Sequence, residues 1–467
     1  MGWTRCPAYR YKLGEREVQE MHILAVDVGT TSLKMGIFQD KGDSLECIKE
    51  FSQSYSIHVY NQGLFADIEQ EKWKNAFLQG CKTLEEFLPS VDAVSFSGTT
   101  PGLSAMDGEG NALYPAILML DQRSRKQAEE IIRRVGMEKI LQETANMPVA
   151  GGCSLASILW LKENEPEVFR RTICFGHSNT YMVKWLTGTF AIDPSSASLS
   201  ALYNTVRNDL TWNMDIAHTF GLDPSRLPQL LPSQESAGRM RPEIARSLGF
   251  RKQPPVIIGG NDAVLAAYDA GVREPGEAIN VNGTCEITLV CLPRCLPSTE
   301  YNIRAHVLKD RWLTLYVMNA GGKAFEWFHS VFCSEMTLEE FWTAFIPRAV
   351  EEWIQRESTV RYVPFLMGSR YSLEPLKAEF KGMNQETTRE ELLLAMVRGL
   401  AEYQRAHLKE VALEVPLKPH IYVTGGAVND ALIQVKRKWM RDCSYIYREQ
   451  SSLRGAALLA KEYIDLT

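Results

Sequence analysis

The clearest pattern in the chain is a set of short apolar runs separated by longer amphipathic segments. The first run, residues 23–28, ends in a polar turn, after which Leu33, Met35 and Ile37 alternate with polar or small residues. An alternation of period two is typical of a strand. Residues 23–38 therefore predict a β-hairpin.

Similar runs recur along the rest of the chain. The apolar runs predict strands at 91–97, 255–260, 279–290 and 421–424. The amphipathic segments predict helices at 124–142, 155–162, 180–186 and 263–270. Strands that alternate with helices indicate the α/β class.

The turn of the first hairpin carries side chains suited to a nucleotide phosphate: Asp27, Gly29, Thr30, Thr31, Ser32 and Lys34. The glycine lets the backbone come close, the hydroxyls donate hydrogen bonds, and the lysine adds a positive charge. The aspartate is suited to holding Mg²⁺ through water. A Walker loop is excluded, because its glycine-rich loop runs into a helix and not into a strand. The alternative is an ordinary surface hairpin.

A weak internal repeat predicts two related halves. Residues 279–290 repeat the pattern of strand, Gly-Thr and strand, so that Gly283 corresponds to Gly29 and Thr284 follows it. Two such hairpins facing one cleft would hold a phosphate chain from both sides. A chance echo is the alternative, since the shared pattern is short.

Asp262 is the candidate catalytic group. It follows the apolar run 255–260 and precedes a predicted helix, and ligands of α/β proteins bind at the carboxyl ends of strands. A carboxylate there would orient a nucleophilic hydroxyl and accept its proton in phosphoryl transfer. The alternative is that Asp262 simply caps the helix, and the two roles are compatible.

Two glycine pairs stand between a strand and a helix. Gly425 and Gly426 would let an adenosine approach the backbone, with Asn429 or Asp430 capping the following helix or contacting the nucleotide. Gly322 belongs to the second pair, and Glu326 and Trp327 beyond it read as core or helix-surface residues. A plain strand-to-helix turn is the alternative for each pair.

Composition narrows the class of protein. The net charge of −6 argues against nucleic acid or an anionic membrane surface as the main partner. No apolar run approaches the ~20 residues that span a bilayer. The ten cysteines include no Cys-x-x-Cys pair, which predicts reduced thiols in a cytoplasmic protein and neither a zinc site nor a disulfide scaffold.

The length of 467 residues allows two or more domains. Residues 1–20 lack the apolar core of a signal peptide and predict a disordered arm or a start-site artefact. The segment 212–254 is richer in Pro, Ser and Arg. It suggests a boundary at its end, with an N-terminal domain at 21–254 and a C-terminal domain at 255–467.

These motifs in this order resemble the FGGY carbohydrate kinases, which include xylulose, ribulose, glycerol and gluconate kinases. The resemblance runs from about Met21 to the C-terminus, and its block pattern is most similar to the xylulose kinase group. Further blocks that match are 94–98, 115–123, 178–193 and 452–457. The resemblance implies two actin-like (ribonuclease H-like) ATPase domains that close over ATP, Mg²⁺ and a small sugar or polyol. Dimers are common in the family, which makes a homodimer possible, but the sequence itself does not give the oligomeric state.

The resemblance also implies roles for single residues. The catalytic aspartate corresponds to Asp262, and the hairpin residues of the ATP site correspond to Asp27, Gly29 and Thr30, with Thr31, Ser32 and Lys34 near the phosphates. The second phosphate threonine corresponds to Thr284. The remaining nucleotide-binding positions correspond to Gly322, Gly425, Gly426 and Asp430.

The sugar block departs from the family pattern. Xylulose kinases have Gln-Met-His-Gly where this chain has Thr99-Thr100-Pro101-Gly102, so the histidine that would contact the sugar is Pro101. Glycerol kinases have Arg-Glu at positions 100 and 101. Thr100, Asp121, Gln122 and Arg123 are candidate replacements, although Asp121 and Arg123 could instead pair with each other.

The sequence thus predicts an ATP-dependent kinase that phosphorylates a hydroxyl of a small sugar or polyol. One alternative is a non-catalytic actin-like nucleotide-binding module. The altered sugar block favours this alternative, whereas the retention of Asp27 and Asp262 argues against it. Another is a kinase of a non-sugar polyol or signalling molecule.

Overall fold

The structure is a computed structural model that describes residues 21–42, 44–369, 371 and 376–467. The predicted leader at 1–20 lies outside the described residues. The strands of the described part are, in chain order, β1 (His22–Val28), β2 (Ser32–Asp40), β3 (Leu45–Ser54), β4 (His58–Tyr60), β5 (Phe65–Ile68), β6 (Val91–Gly98), β7 (Gly102–Met106), β8 (Ala116–Leu118), β9 (Cys174–Gly176), β10 (Ala191–Ile192), β11 (Gln229–Leu230), β12 (Ser236–Arg239), β13 (Pro255–Asn261), β14 (Ala278–Asn282), β15 (Glu286–Leu292), β16 (Asn302–Ala305), β17 (Trp312–Met318), β18 (Arg361–Val363), β19 (Glu379–Lys381), β20 (His420–Thr424) and β21 (Ser444–Tyr447).

The helices of the same residues complete the α/β pattern. They are α1 (Glu71–Thr83), α2 (Arg125–Val135), α3 (Met137–Thr144), α4 (Ser154–Asn164), α5 (Pro166–Arg171), α6 (Ser178–Thr187), α7 (Pro194–Ala197), α8 (Met214–Thr219), α9 (Pro242–Leu248), α10 (Asp262–Asp269), α11 (Gly322–Phe332), α12 (Leu338–Glu340), α13 (Ile346–Trp353), α14 (Arg389–Ala412), α15 (Asp430–Trp439) and α16 (Ser452–Leu466). The predicted single helix at 124–142 is two helices, because Gly136 adopts a φ of 88° between them.

Two six-stranded sheets organise the molecule and repeat one topology. The first has the order β12-β13-β6-β1-β2-β3 and the second the order β16-β17-β15-β14-β20-β21. In each, an antiparallel hairpin (β1–β2 or β14–β15) pairs in parallel with a later strand, β6 or β20. The predicted repeat of the Gly-Thr hairpin is therefore also a repeat of the sheet around it.

The predicted boundary after residue 254 is too early. The strand Pro255–Asn261, which was expected to open the second domain, is β13 and pairs in parallel with β6 of the first sheet. The Pro-rich segment before it is an excursion that returns to the same sheet. The chain enters the second sheet only at β14, so we place the boundary between α10 and β14, and Asp262 belongs to the first half.

A buried core between the two sheets connects the halves. Helices α10 and α16 cross there, and Leu265, Leu453 and Ala457 are among its fully or nearly fully buried side chains. The crossing is close: a β-carbon at Gly455 would lie 2.3 Å from the carbonyl oxygen of Leu265. Arg454 Nε also donates to Asp269 Oδ1 at 2.7 Å, which links the end of α10 to the start of α16.

We expect Gly455→Ala to lower the free energy of unfolding by about 2 kcal/mol, because the methyl group must push two packed helices apart. Chemical denaturation measures this loss. Gly108→Ala is the matched control, since a β-carbon there meets no atom within 4 Å and should leave stability unchanged. Equal stability of the two variants would contradict the close crossing.

Candidate active site

A cleft of about 860 Å³ lies between the two halves. The first half contributes Lys34, Thr99 and Thr100, and the second half contributes Cys285 and Arg304. Asp262 also lines the cleft. The predicted catalytic carboxylate and the neighbours of both hairpin turns therefore face one space.

The first hairpin is a tight turn with a carboxylate at its base. Asp27 pairs with Lys34 across the hairpin, and its Oδ1 accepts a hydrogen bond of 2.6 Å from Ser97 Oγ on β6. The amide of Gly29 donates to the carbonyl oxygen of Ser32 at 2.9 Å. A β-carbon at Gly29 would lie 2.9 Å from that same oxygen, so the turn requires glycine.

The hydroxyl-bearing residues of this turn are accessible. Thr31 is exposed, and Thr30 and Ser32 are half-buried. Lys34 is exposed as well and lines the cleft. Of the predicted phosphate-binding residues in this hairpin, Lys34 therefore lines the cleft, whereas Thr30, Thr31 and Ser32 are accessible but are not among its lining residues.

Asp262 is the first residue of α10, directly after β13. The N-cap of that helix is Asn261, whose Oδ1 accepts from Val264 N at 3.3 Å, so the alternative that Asp262 is the cap is wrong. Oδ1 of Asp262 accepts from Asn261 Nδ2 (2.9 Å) and Ala263 N (2.7 Å), and Oδ2 accepts from Thr99 Oγ1 (2.8 Å). The carboxylate is thus fixed in orientation, with Oδ2 holding only one of these three donors.

Burial raises the pKa of Asp262 above the ordinary value, and the charge of Asp27 raises it further. The hydrogen bonds from Thr99 and Ala263 and the positive charge of Arg304 oppose this shift. A raised pKa makes a carboxylate a better proton acceptor while it is ionised.

The second hairpin is packed against a helix N-terminus. Gly283 N donates to Cys285 O at 3.0 Å, and Gly283 O accepts from Gly322 N, at the start of α11, at 2.8 Å. A β-carbon at Gly322 would lie 2.7 Å from Gly283 O. Thr284 O accepts from Lys323 N at 3.3 Å, so the predicted Gly283, Thr284 and Gly322 do lie together.

The third glycine pair lies beside the second hairpin. Gly425 has a φ of 105°, and a β-carbon on it would lie 2.2 Å from Asn282 O, whereas Gly426 has no atom within 4 Å of its β-carbon position. Asn429 Oδ1 accepts from Leu432 N at 2.9 Å and is the cap of α15. Asp430 is the first residue of that helix and is exposed.

Residues 22–268, more than half of the chain, match the N-terminal domain of the FGGY family of carbohydrate kinases. The chain belongs to the FGGY family of carbohydrate kinases. It is accordingly an ATP-dependent phosphotransferase that acts on carbohydrate.

Relatives of this FGGY kinase match along most of its length. A xylulose kinase of Staphylococcus xylosus is 25% identical over 449 residues, which cover 94% of this chain and 90% of that protein. A gluconokinase of Bacillus subtilis is 23% identical over 390 residues, covering 81% and 74%.

Solved structures share its two-domain actin-like fold. A ligand-bound xylulose kinase from Lactobacillus acidophilus superposes with a TM-score of 0.85 at 19% identity, covering 96% of this chain and 90% of that one. A glycerol kinase from Plasmodium falciparum with ADP superposes with a TM-score of 0.84 at 18% identity, with the same coverage.

The altered sugar block of this FGGY kinase is buried at the base of the cleft. Thr100 is 1% exposed, and its Oγ1 accepts from Asn261 Nδ2 (3.2 Å) and Arg304 Nη1 (3.0 Å). A hydroxyl oxygen that accepts twice keeps its own proton for a further acceptor. Pro101 is buried and follows a cis peptide bond.

Asp121 lies in a separate buried ion network. Its Oδ2 accepts from Arg123 Nε at 2.7 Å and from Ala66 N at 2.7 Å, and Arg123 Nη2 donates to Asp67 at 2.7 Å. Asp121 is fully buried and is not among the residues that line the cleft. The geometry therefore favours the ion pair of Asp121 and Arg123 over a contact with substrate, while Gln122 Oε1 accepts from Arg125 Nε at 3.0 Å.

We expect Asp121→Ala to cost about 3 kcal/mol of stability, because it removes one partner of a buried charge. The KM for the acceptor should stay unchanged in the folded fraction. Urea denaturation and steady-state kinetics measure the two effects. Glu130→Ala, which breaks an exposed pair with Arg133, is the control and should cost under about 1 kcal/mol. A stable variant with a raised acceptor KM would instead make Asp121 a substrate ligand.

The sequence did not point to three side chains around Asp262. Thr99 and Asn261 are neighbours of predicted residues in the chain, so their roles as orienting donors could have been considered. No sequence pattern connects Arg304 with the site, because Arg304 reaches it from β16 of the second sheet. Glu326 and Trp327 lie where expected: Glu326 pairs with Lys323 at the surface, and Trp327 packs on the core of the second half.

No helix of the described residues has the length and apolar character needed to cross a membrane. The cysteines of the described part are all free.

Proposed function

We propose that this protein transfers the γ-phosphoryl group of ATP to a hydroxyl of a small neutral sugar or polyol, with Asp262 as the base. The observation that carries the proposal is the carboxylate of Asp262, fixed by three donors at a cleft that both Gly-Thr hairpins approach. The similarity to xylulose kinases supports a neutral sugar as the acceptor, and the similarity to gluconokinases supports only the broader class of sugar-derived acceptors.

The phosphate chain would lie between the two hairpins. The hydroxyl-bearing turn at Thr30–Ser32 and the turn at Gly283–Thr284 would hold it, and Lys34 would offset part of its charge. The adenosine would lie against the open face of Gly426, where no protein atom occupies the space that a side chain would fill.

Mg²⁺ fits the residues present as a companion of the nucleotide. Within the described part of the chain, no group of three or more His, Cys, Asp or Glu side chains could hold a metal ion, so phosphate oxygens would complete its coordination. Asp27 would hold it through water, and a cation there would offset the repulsion between the charges of Asp27 and Asp262. When bound, it would neutralise charge on the transferring phosphoryl group.

Asp262 needs only modest basicity for this reaction. The transition state of phosphoryl transfer is loose, so the hydroxyl proton leaves late. Oδ2 of Asp262 would accept that proton while the donors at Oδ1 keep the carboxylate oriented. Closure of the two halves would exclude water and so limit hydrolysis of ATP.

Release of ADP from Mg-ATP across a panel of ketoses, aldoses, polyols and sugar acids tests the proposal. At least one neutral acceptor should raise the rate well above the rate with ATP alone. If ATP binds and no acceptor raises ADP release, the non-catalytic nucleotide-binding alternative replaces the proposal.

A further inference from the structure

Arg304 is a buried cation that crosses from one half of the molecule to the other. It stands on β16 of the second sheet and is 2% exposed. Its Nη1 donates to Thr100 Oγ1 (3.0 Å) and to Ser195 O (2.8 Å), and its Nη2 donates to Thr100 O (2.6 Å). Arg304 also lines the cleft together with Thr100 and Asp262.

Only part of the Arg304 guanidinium is hydrogen-bonded within the protein. A guanidinium has five N–H groups in a rigid fork. The two oxygens of Thr100 occupy the edge shared by Nη1 and Nη2, and Ser195 takes the other Nη1 proton. Nε is buried and has no partner among the described residues. The edge formed by Nε and the second Nη2 proton is therefore the one left for a ligand with two neighbouring acceptors.

The surrounding charges indicate which kind of ligand that is. Asp262 and Asp193 both act on Arg304 with their negative charges, and burial lowers its pKa to about 10, so it stays protonated at neutral pH. Asp193 is fully buried as well. Because the two carboxylates already outnumber the one guanidinium, a third anion at this edge would be repelled, whereas neutral oxygens would not.

Thr100 supplies a matching donor at the same place. Its hydroxyl oxygen accepts from both Asn261 and Arg304, so its proton is free to reach a ligand oxygen. The cleft beside Asp262 thus contains three donors for a ligand: the parallel N–H groups of Arg304 Nε and Nη2, and the hydroxyl of Thr100. This pattern suits adjacent oxygens on one carbon chain.

We propose that Arg304 determines substrate specificity by donating from Nε and Nη2 to two adjacent neutral oxygens of the acceptor, a vicinal diol or a hydroxyketone. The inference rests on the proposed function, since the acceptor is the molecule that Asp262 activates. On this inference, a residue of the second half of the chain recognises the acceptor, and the protein binds a sugar acid less well than a neutral sugar or polyol.

A panel with one carbon skeleton in three oxidation states tests the proposal: D-xylulose, xylitol and D-xylonate. The wild type should bind or turn over the ketose or the polyol and discriminate against the acid. Arg304→Lys, which keeps the charge and loses the fork, should raise the acceptor KM by about 10- to 100-fold and leave the KM for ATP unchanged. Arg304→Gln should also raise the acceptor KM and leave the KM for ATP unchanged, and it should be less stable than the wild type.

A deoxy analogue of the preferred acceptor separates specificity from a merely structural role. In the wild type, removing one of the two adjacent hydroxyls should raise KM strongly. In Arg304→Lys the parent and the deoxy analogue should differ little, because the donor edge is already lost. An equal deoxy penalty in both proteins, or a preference for D-xylonate, would overturn the proposal.

Equilibrium binding of the same panel distinguishes failure of this inference from failure of the proposed function. If the wild type binds a neutral acceptor but shows no transfer, the proposed function fails, and the Lys variant still decides the role of Arg304 by its loss of affinity. If the wild type binds none of the neutral members in the presence of ATP, the proposed role of Arg304 is wrong.

Discussion

The Asp262→Asn variant should turn over about 1,000-fold more slowly than the wild type and bind ATP equally well. The amide keeps the shape of the carboxylate: its oxygen can keep the donors Asn261 and Ala263, and its NH2 group can donate to the Thr99 hydroxyl, which turns to accept. The amide cannot accept the hydroxyl proton of the substrate. Steady-state kinetics and calorimetric titration with ATP measure the two quantities. An activity within tenfold of the wild type would rule out Asp262 as the base.

The same variant should not be less stable, and this separates a catalytic loss from a folding defect. The pKa of Asp262 is raised in the folded protein. A carboxylate of this kind contributes stability only below its unfolded pKa, and the contribution is lost as the pH rises through the folded pKa. At neutral pH the ionised group is a cost, so the neutral Asn should leave Tm equal or higher.

The pH profile follows from the same carboxylate. Only the ionised form accepts a proton, so kcat/KM should rise with pH through the raised pKa of Asp262. Asp27 raises that pKa by its negative charge. Asp27→Asn should therefore move the acidic limb to lower pH while it weakens the reaction. An acidic limb that stays in place would show that Asp27 does not act on Asp262.

Gly425→Ala should lose about 3 kcal/mol of stability together with ATP binding. Its φ of 105° is strained for any residue with a β-carbon, and the added carbon would lie 2.2 Å from Asn282 O. Since Asn282 ends the first strand of the second hairpin, the distortion would reach Gly283 and Thr284. Denaturation and ATP titration measure both losses.

Gly426 offers the matched comparison. Gly426→Ala should fold as the wild type does, because its β-carbon meets no atom within 4 Å. Gly426→Leu should also fold, yet raise the KM for ATP by about tenfold, because the larger side chain occupies the proposed adenosine position. A Leu variant with an unchanged KM would place the adenosine elsewhere.

Local patterns in the sequence predicted the parts of the site that are local in the fold. Each hairpin is formed by one short segment, and the strand before Asp262 is followed directly by its helix. The chemistry of these turns depends on neighbours in the chain, which a pattern can reveal. The strand order of the sheets, by contrast, depends on pairing between strands that are distant in the chain.

Arg304 and β13 illustrate what the sequence could not predict. Arg304 comes from a strand of the second sheet and meets Thr100 across 204 positions of chain, so no spacing rule connects them. The membership of β13 in the first sheet depends on pairing with β6, and the Pro-rich segment before it resembles a linker in composition. Asp121 and Arg123 were predicted as either substrate ligands or a pair, and only the three-dimensional contacts favour the pair.

The most direct test of the central claim is the ³¹P NMR spectrum of Mg-ATP and a neutral acceptor with the wild type and with Asp262→Asn. A phosphate ester of the acceptor should appear in step with ADP for the wild type and stay absent over the same time for the variant. Formation of ADP and inorganic phosphate without an ester, or equal ester formation by both proteins, would contradict transfer to a hydroxyl activated by Asp262.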